Sequence, residues 1–355
     1  MAVNLYIAST QNFSGKSGVC VALMQRMQQD GYEVGYLKPF SSAARVLAES
    51  SVDEDARFLK ETFDLAEPLD TLAPVVITSQ RIRQILEAGG ADYRSKVKEA
   101  AEIVGRDRDV VVMEGSDNFR EGRIVNLSLS HIIELVNAKV ITVVGYKYGL
   151  QVVDDILSAA ARLGENSLGV IINTVPASRI EFVNEFVKPY VEDQGITVRA
   201  VLPVERTLHS ITVGEIVAAL DGEMLCCGST DDLVVNLMVG AMNVEHALNH
   251  FRRVTDKAVI VGADRPDIQL AALETSTKAL ILTGNMQPNP MIEAKAAERE
   301  VAIILSRYDT LTTVEHVEQF FGKSRFHQAE KIVRFQQMLG KALDFEALYR
   351  ALGLK

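Results

Sequence analysis

The chain has 355 residues, of which 48% are hydrophobic and 24% charged, and its formal net charge is -10. This length favours two domains, and the acidic balance excludes a broad nucleic-acid-binding surface, which requires clustered Lys and Arg. The sequence contains no run of 18 apolar residues and no signal-peptide pattern at its N-terminus, so we expect a cytoplasmic protein without a membrane-spanning helix.

Short apolar runs alternate with longer amphipathic stretches over the first 207 residues. The candidate strands are Val3–Ala8, Glu33–Lys38, Asp109–Met113, Lys139–Val144, Leu168–Ile172 and Val198–Leu202. Helical patterns lie between them, for example at Gly15–Gln29, Gln151–Leu163 and Arg179–Asp193. Apolar strands separated by helices predict a parallel sheet covered on both faces. We therefore expect an α/β nucleotide-binding domain over residues 1–207.

A phosphate-binding loop is predicted where the first strand meets the first helix, in the segment Ser9-Thr-Gln-Asn-Phe-Ser-Gly-Lys-Ser17. Backbone N–H groups in such a loop, with the helix N-terminus, form a positive cradle for phosphate oxygens. Lys16 can reach the β- and γ-phosphates of ATP, and the Ser17 hydroxyl can ligate Mg²⁺. The predicted nucleotide contacts are Thr10, Asn12, Ser14, Gly15, Lys16, Ser17 and Gly18.

One departure from the standard G-x-x-x-x-G-K-[ST] pattern leaves an alternative open. Thr10 stands where the first glycine belongs, so the Gly-Lys-Ser sequence could simply begin a helix. The loop does resemble that of dethiobiotin synthetases, which is one residue longer, with Ser9 at the position of their first glycine. Lys38-Pro39, Asp55-Ala56 and Glu114-Gly115 also resemble motifs of that family.

The resemblance to dethiobiotin synthetases implies ATP and Mg²⁺ as ligands. It implies Ser17, Asp55 and Glu114 as metal ligands, Lys16 and Lys38 as catalytic residues, and Asn173 as the residue that recognises adenine. Independently of the family, ligands of open parallel sheets bind beyond the carboxyl ends of the strands, and Lys38, Glu114 and Asn173 occupy such positions. The alternatives are a solvated acidic loop for Asp55 and a turn role for Asn173.

A second, smaller α/β domain is predicted from strands at Ala258–Val261, Ala279–Leu282 and Val301–Leu305, with helices near Asp267–Thr275 and Pro290–Glu300. Asp264-Arg265, Thr283-Gly284-Asn285 and Tyr308-Asp309-Thr310 resemble the signatures of the DRTGG domain, over residues 210–320. Asp264 and Arg265 could bind a small polar effector, or could pair with each other and with Asp309. Residues 321–355 are predicted to form a helical tail.

The two resemblances together match the N-terminal arrangement of long bacterial phosphotransacetylases, and imply a stand-alone version in which no acetyl transfer is expected. Two functions remain open. The first is an ATP- and Mg²⁺-binding regulatory protein that senses nucleotide and acts on a partner protein. The second is an ATP-dependent synthetase or slow ATPase, in which the γ-phosphate passes to a carboxylate-like acceptor.

A homo-oligomer, most simply a dimer, is also predicted. A small α/β domain leaves sheet edges and faces to cover, and two-fold pairing is the commonest way in which soluble proteins cover them. The stretch Leu233–Met242 is unusually apolar for a connection between elements, so we expect it to be buried against the first domain or a second subunit.

Overall fold

The computed structural model describes residues 2–42, 45–47, 50–321 and 328–354. Contacts within the chain divide it into two units. The first unit holds the described residues up to Val204 together with 328–354, and the second holds 205–321. Both units have an α/β architecture. No helix in the described ranges is long and apolar enough to cross a bilayer.

The first unit is built on a parallel sheet, as predicted. Its strands are β1 (Val3–Ser9), β2 (Val34–Leu37), β5 (Val110–Glu114), β6 (Lys139–Gly145), β7 (Ser167–Val175) and β8 (Val198–Pro203), with a separate hairpin of β3 (Arg45–Leu47) and β4 (Ser50–Val52). The six strands lie in the order β2-β5-β1-β6-β7-β8. Continuous Val and Ile runs form these strands because helices cover both faces of the sheet. All five residues of β5 are buried.

Helices connect the strands of the first unit. They are α1 (Lys16–Gln29), α2 (Glu54–Thr62), α3 (Leu69–Leu72), α4 (Ser79–Glu87), α5 (Arg94–Val104), α6 (Leu129–Val136), α7 (Gln151–Leu163), α8 (Ile180–Phe182) and α9 (Lys188–Asp193). A π-helical turn over Val183–Val187 joins α8 to α9. The spatial order of the strands places β1, and the loop that follows it, near the centre of the sheet, where α/β proteins bind ligands.

The second unit contains a smaller sheet. The strands of this unit are β9 (Ile211–Thr212), β10 (Glu223–Cys226), β11 (Leu233–Val234), β12 (Asn236–Val239), β13 (Lys257–Gly262), β14 (Thr277–Thr283) and β15 (Ala302–Leu305). Its helices are α10 (Arg206–His209), α11 (Val213–Leu220), α12 (Val244–Phe251), α13 (Pro266–Leu273), α14 (Pro290–Glu298) and α15 (Thr310–Glu318). The main sheet has the order β10-β15-β14-β13-β12, in which only the β10 pairing is antiparallel.

The apolar stretch Leu233–Met242 was predicted to be a connection between elements. It instead contains β11 and the edge strand β12. Leu237 and Met238 pack into the two cores on opposite faces of the sheet. Successive residues of a strand point to opposite faces, so a strand covered on both sides is apolar throughout. The stretch is thus covered in part within its own unit, while Val239 and Met242 are 36% and 45% exposed, and its cover by a second subunit stays a prediction.

The C-terminal residues belong to the first unit instead of forming a separate tail; 322–327, part of the expected tail, lie outside the described residues. Helices α16 (Ala329–Ala342) and α17 (Phe345–Leu352) pack near α1 and β8. The Arg26 guanidinium lies 4.8 Å from the centre of the Phe345 ring. The Tyr349 hydroxyl donates to Asp30 at 2.7 Å. The amphipathic C-terminal helices thus bury their apolar faces against the helix that follows the phosphate loop.

Candidate nucleotide-binding site

The loop between β1 and α1 has the backbone of an anion-binding cradle. Helix α1 begins at Lys16, and its N-cap, Gly15, provides no side-chain hydrogen bond, so N–H groups in the first turn remain available to phosphate oxygens. Gly15 has φ 94°, and a Cβ there would lie 2.4 Å from Nδ2 of Asn173. Only glycine satisfies both the left-handed backbone and the close approach.

Hydrogen bonds inside the loop fix its shape. The Ser9 hydroxyl donates to the Ser14 hydroxyl at 2.7 Å, and both side chains are buried. The Thr10 hydroxyl is buried without a partner, whereas Asn12 is exposed. Gly18 lies buried within α1. The predicted contacts thus divide into loop-shaping residues, residues at the start of α1 and the solvent-facing Asn12.

Lys16 is 7% exposed, and its ammonium lies 3.4 Å from a carboxylate oxygen of Asp117. Asp117 is itself 47% exposed, so this ion pair is weakly held. Its carboxylate was not among the predicted site residues. A lysine at the start of the helix, with only a loose partner, can turn towards a phosphate without leaving a buried charge behind.

Glu114 ends β5 and is buried, with 2% of its surface exposed. It accepts hydrogen bonds from the Ser17 hydroxyl at 2.7 Å and from the Tyr36 hydroxyl at 2.9 Å. Burial raises the pKa of Glu114, the Lys38 ammonium opposes this rise, and the Asp55 carboxylate adds to it. Two of the three predicted metal ligands, Ser17 and Glu114, are therefore in direct contact, and the third, Asp55, contacts Lys38.

Lys38 lies among carboxylates. Its ammonium is 2.9 Å from Asp53 and 2.7 Å from Asp55. Burial by itself would lower the pKa of Lys38, but the carboxylates of Glu114, Asp55 and Asp53 outweigh burial and raise it. Asp55 is 28% exposed in its side chain, while that of Asp53 is 1% exposed.

Asp53 is the main site residue that the sequence analysis missed. Its carboxylate accepts from the Ser41 hydroxyl at 2.5 Å and from the Ala56 N–H at 2.8 Å, and so caps α2. Asp55 was predicted as a metal ligand, with a solvated acidic loop as the alternative, and Asp53 was given no role. The position of an Asp directly before a helical pattern is a capping signal, and that signal could have identified Asp53.

The charges of this cluster suit a divalent cation. Two carboxylates, of Asp53 and Asp55, contact the Lys38 ammonium, and the carboxylate of Glu114 also raises the Lys38 pKa, so these three carboxylates outnumber the one ammonium that they act on. No group of three or more His, Cys, Asp or Glu in the described ranges is arranged to hold a metal ion by itself. Mg²⁺ is usually bound through one or two carboxylates, with phosphate oxygens and water completing its shell, and the Ser17, Asp55 and Glu114 set fits that mode.

Asn173, predicted to recognise adenine, lies at the end of β7 and is buried. Its side-chain amide donates to the Ser14 carbonyl at 2.8 Å. The next residue, Thr174, adopts a left-handed φ of 57°, and the pairing of β7 with β8 shifts register here. Asn173 therefore supports the phosphate loop in this structure, and its contact with adenine stays a prediction.

The DRTGG-like signatures of the second unit have local partners. Arg265 lies 3.4 Å from Asp267 and donates to the Met242 carbonyl. Asp309 caps α15, accepting from the Thr312 N–H at 2.9 Å. Neither alternative from the sequence, an effector site or pairing among Asp264, Arg265 and Asp309, is needed to explain Arg265 and Asp309.

Two family models match the chain: residues 3–221 match an AAA domain and residues 215–320 match the DRTGG domain. Phosphate acetyltransferase of Nitratidesulfovibrio vulgaris is 25% identical over 98% of this chain and 51% of its own length. Phosphate acetyltransferase of Synechocystis sp. is 24% identical over 82% of this chain and 43% of its own length. The chain thus spans about half the length of these relatives.

Dethiobiotin synthetase BioD of Aromatoleum aromaticum is 27% identical over 41% of this chain and 65% of its own length. Among solved structures, the septum site-determining protein MinD of Pyrococcus horikoshii, complexed with Mg-ADP, is 15% identical, with a TM-score of 0.37 over 59% of this chain and 84% of that one. The AAA-domain match covers more than half of the chain. The chain therefore belongs to this P-loop AAA-domain family, carries a DRTGG domain after it, and resembles the N-terminal half of phosphate acetyltransferases and dethiobiotin synthetase.

Proposed function

We propose that this chain is a regulatory protein that binds ATP with Mg²⁺ and transmits the occupancy of its nucleotide site to a partner protein. The observation that carries the proposal is the joint placement of a phosphate cradle and a carboxylate cluster. The first turn of α1 offers N–H groups and Lys16, while Ser17 and Glu114 are already joined at 2.7 Å. Ser17 and Glu114 would hold Mg²⁺, which when bound would offset the negative charge of the phosphates and of Glu114.

The contacts of Lys38 favour a nucleotide-sensing role over a phosphoryl-transfer reaction. A transfer enzyme needs cations directed at the moving phosphoryl group. Here the Lys38 ammonium is held by Asp53 at 2.9 Å and by Asp55 at 2.7 Å. Withdrawing it from a buried carboxylate such as Asp53 is costly. Lys16 would therefore bind phosphate, while Lys38 would fix the acidic cluster in place.

The compartment and assembly belong to the same proposal. We expect a cytoplasmic protein that binds neither nucleic acid nor membrane, and that acts as a homodimer. The dimer would cover sheet edges such as β12 and the exposed Val239 and Met242 beside it.

Calorimetric titration with ATP, with and without Mg²⁺, together with measurement of phosphate release, tests the proposal. We expect binding that Mg²⁺ strengthens and no multiple turnover. Absence of ATP binding would contradict the proposal. Sustained phosphate release would instead favour the synthetase or ATPase alternative, and dependence of that release on an added carboxylate would identify its acceptor class.

A further inference from the structure

Two adjacent cysteines, Cys226 and Cys227, stand where the edge strand β10 of the second unit ends. Successive side chains of a regular strand point to opposite faces, so neighbouring thiols do not normally meet. Here the pairing of β10 with β15 shifts register between Met224 and Cys226, and Cys227 has a left-handed φ of 49°. The bulge and the left-handed residue break the alternation, and the two thiols share a side-chain hydrogen bond. Two sulfur atoms therefore lie side by side at one turn.

Both thiols are held by packed backbone. Cys226 packs against the core to which α14 contributes, and its sulfur lies 4.0 Å from the Glu293 carbonyl oxygen. The residue after the pair, Gly228, has φ 77°, and a Cβ there would lie 2.8 Å from the Ala302 backbone nitrogen. This close approach fixes the turn against the start of β15. Donor atoms that are positioned before a ligand arrives lose little conformational freedom when it binds.

The pair is accessible to small ions from solvent. Both cysteines are partly exposed, and Cys227 lines a cavity of about 910 Å³ at the amino ends of β13, β14 and β15. The charged side chains of the cavity wall are four carboxylates and two cations, namely Asp232, Asp256, Glu274, Glu300, Lys278 and Arg299. Several of them are exposed, so their individual contributions are small, but the surplus is negative. The cavity is therefore more favourable to a cation than to an anion.

The chemistry of sulfur determines which cation fits. Burial and the hydrogen bond with the Cys227 thiol raise the pKa of Cys226 to about 12, so a cation has to displace the proton in order to bind. Soft cations form strong bonds to thiolates, whereas hard cations such as Mg²⁺ prefer oxygen ligands. No three His, Cys, Asp or Glu side chains within the described ranges are grouped to hold a metal ion, so two sulfurs, with water, would form the coordination shell.

We propose that Cys226 and Cys227 together bind one soft, thiophilic metal cation at this turn. Two metal–sulfur bonds form, both thiol protons pass to solvent, and no electrons are transferred. The two sulfurs bind as a chelate because they share one turn of the backbone. The site lies wholly within the second unit; it goes beyond the nucleotide-binding function and does not depend on it.

The test uses Cd²⁺ as the probe. The full chain is kept reduced by a phosphine instead of a thiol, and excess Mg²⁺ occupies sites that prefer hard cations. Cadmium–thiolate bonds absorb in the ultraviolet by charge transfer from sulfur to metal, whereas carboxylate ligands give no such band. We expect the band to saturate at a single equivalent of Cd²⁺. C226S and C227S should each weaken binding at least about tenfold, the loss that even an outer-shell partner of a metal site causes.

C20A is the matched control, because Cys20 is fully buried in the first unit and its loss should leave the band and the affinity unchanged. A second readout needs no variant: Cd²⁺ should protect both Cys226 and Cys227 of the wild-type chain from alkylation by iodoacetamide, as mapped by mass spectrometry. Absence of the band up to about 1 mM Cd²⁺, or wild-type affinity in C226S or C227S, would overturn the proposal. Displacement of Cd²⁺ by Mg²⁺, or alkylation of either thiol at its metal-free rate, would do the same.

Discussion

The two sheets of this protein use the carboxyl ends of their strands differently. In the first unit, Lys38, Asp53 and Glu114 are buried together, and burying so many charges costs free energy that their mutual attraction repays only in part. In the second unit, Asp264 and Asp309 are exposed, and the pKa of Asp309 is lowered by the N–H groups that it caps. The strand ends thus form a buried cluster of charges in one unit and carry exposed polar residues, among them a helix cap, in the other.

The strongest test of the charged centre is K16A. Its side chain lies at a loop-to-helix junction and pairs with the exposed Asp117, so the fold should survive. ATP affinity should fall at least about 100-fold, because the charge opposite the phosphates is lost. Calorimetry measures the affinity, and circular dichroism checks the fold. K98A, at an exposed lysine on α5, is the control, and unchanged ATP affinity in K16A would refute the phosphate-loop assignment.

A second test compares two capping aspartates, one in each unit. D53A removes the cap of α2 and also removes one carboxylate partner of the buried Lys38 ammonium. The free energy of unfolding should therefore fall by about 3 kcal/mol. D309A removes only the exposed cap of α15 and should cost about 1 kcal/mol. Urea unfolding of both variants measures the difference. Equal losses would mean that the two strand ends are not energetically distinct.

A third test concerns the metal. E114Q and D55N keep the side-chain shape but lose the charge that Mg²⁺ requires, so each should weaken the Mg²⁺ enhancement of ATP binding by about tenfold. The enhancement is the ratio of ATP affinities with Mg²⁺ and with excess chelator. E102Q, at an exposed glutamate on α5, should leave it unchanged. If both site variants retain the wild-type ratio, those carboxylates do not bind the metal.

The smallest expected effect lies in the second unit, at Lys257. This lysine is fully buried, donates to the carbonyls of Val254 and Ser276, and burial lowers its pKa to about 8. The unfolded chain holds the proton up to about pH 10.4, so above pH 8 the unfolded state binds more protons and stability rises with pH. Between pH 8 and 9 the gain should be about 1 kcal/mol.

Unfolding free energies of wild type and K257M over that pH range isolate this contribution. K278M is the control, because Lys278 is 39% exposed and should leave the slope intact. K257M should lose the slope even if the substitution lowers stability at every pH. A slope that persists in K257M would assign the titration to other groups.

The parts of this protein that were predictable are those that local pattern determines. The strands β1, β5 and β6 are largely buried and appear in the sequence as apolar segments. Asp53 was missed because its role depends on Lys38, which lies 15 positions away in the chain. The strand β12 was missed because a short apolar run does not by itself distinguish strand from connection.

The position of α16 and α17 could not be predicted either. An amphipathic pattern indicates which face of a helix is buried, but not which element covers that face.

The return of the C-terminal helices to the first unit has a practical consequence for dissecting the protein. The second unit is an insertion, joined to the first at both of its ends. A fragment that stops after Val204 would lack Phe335, Leu339 and Leu348, which are buried in the intact chain. It would also expose to water the side of α1 that α16 covers. An isolated nucleotide-binding unit should therefore be made by excising the insertion and joining its flanks with a short flexible linker.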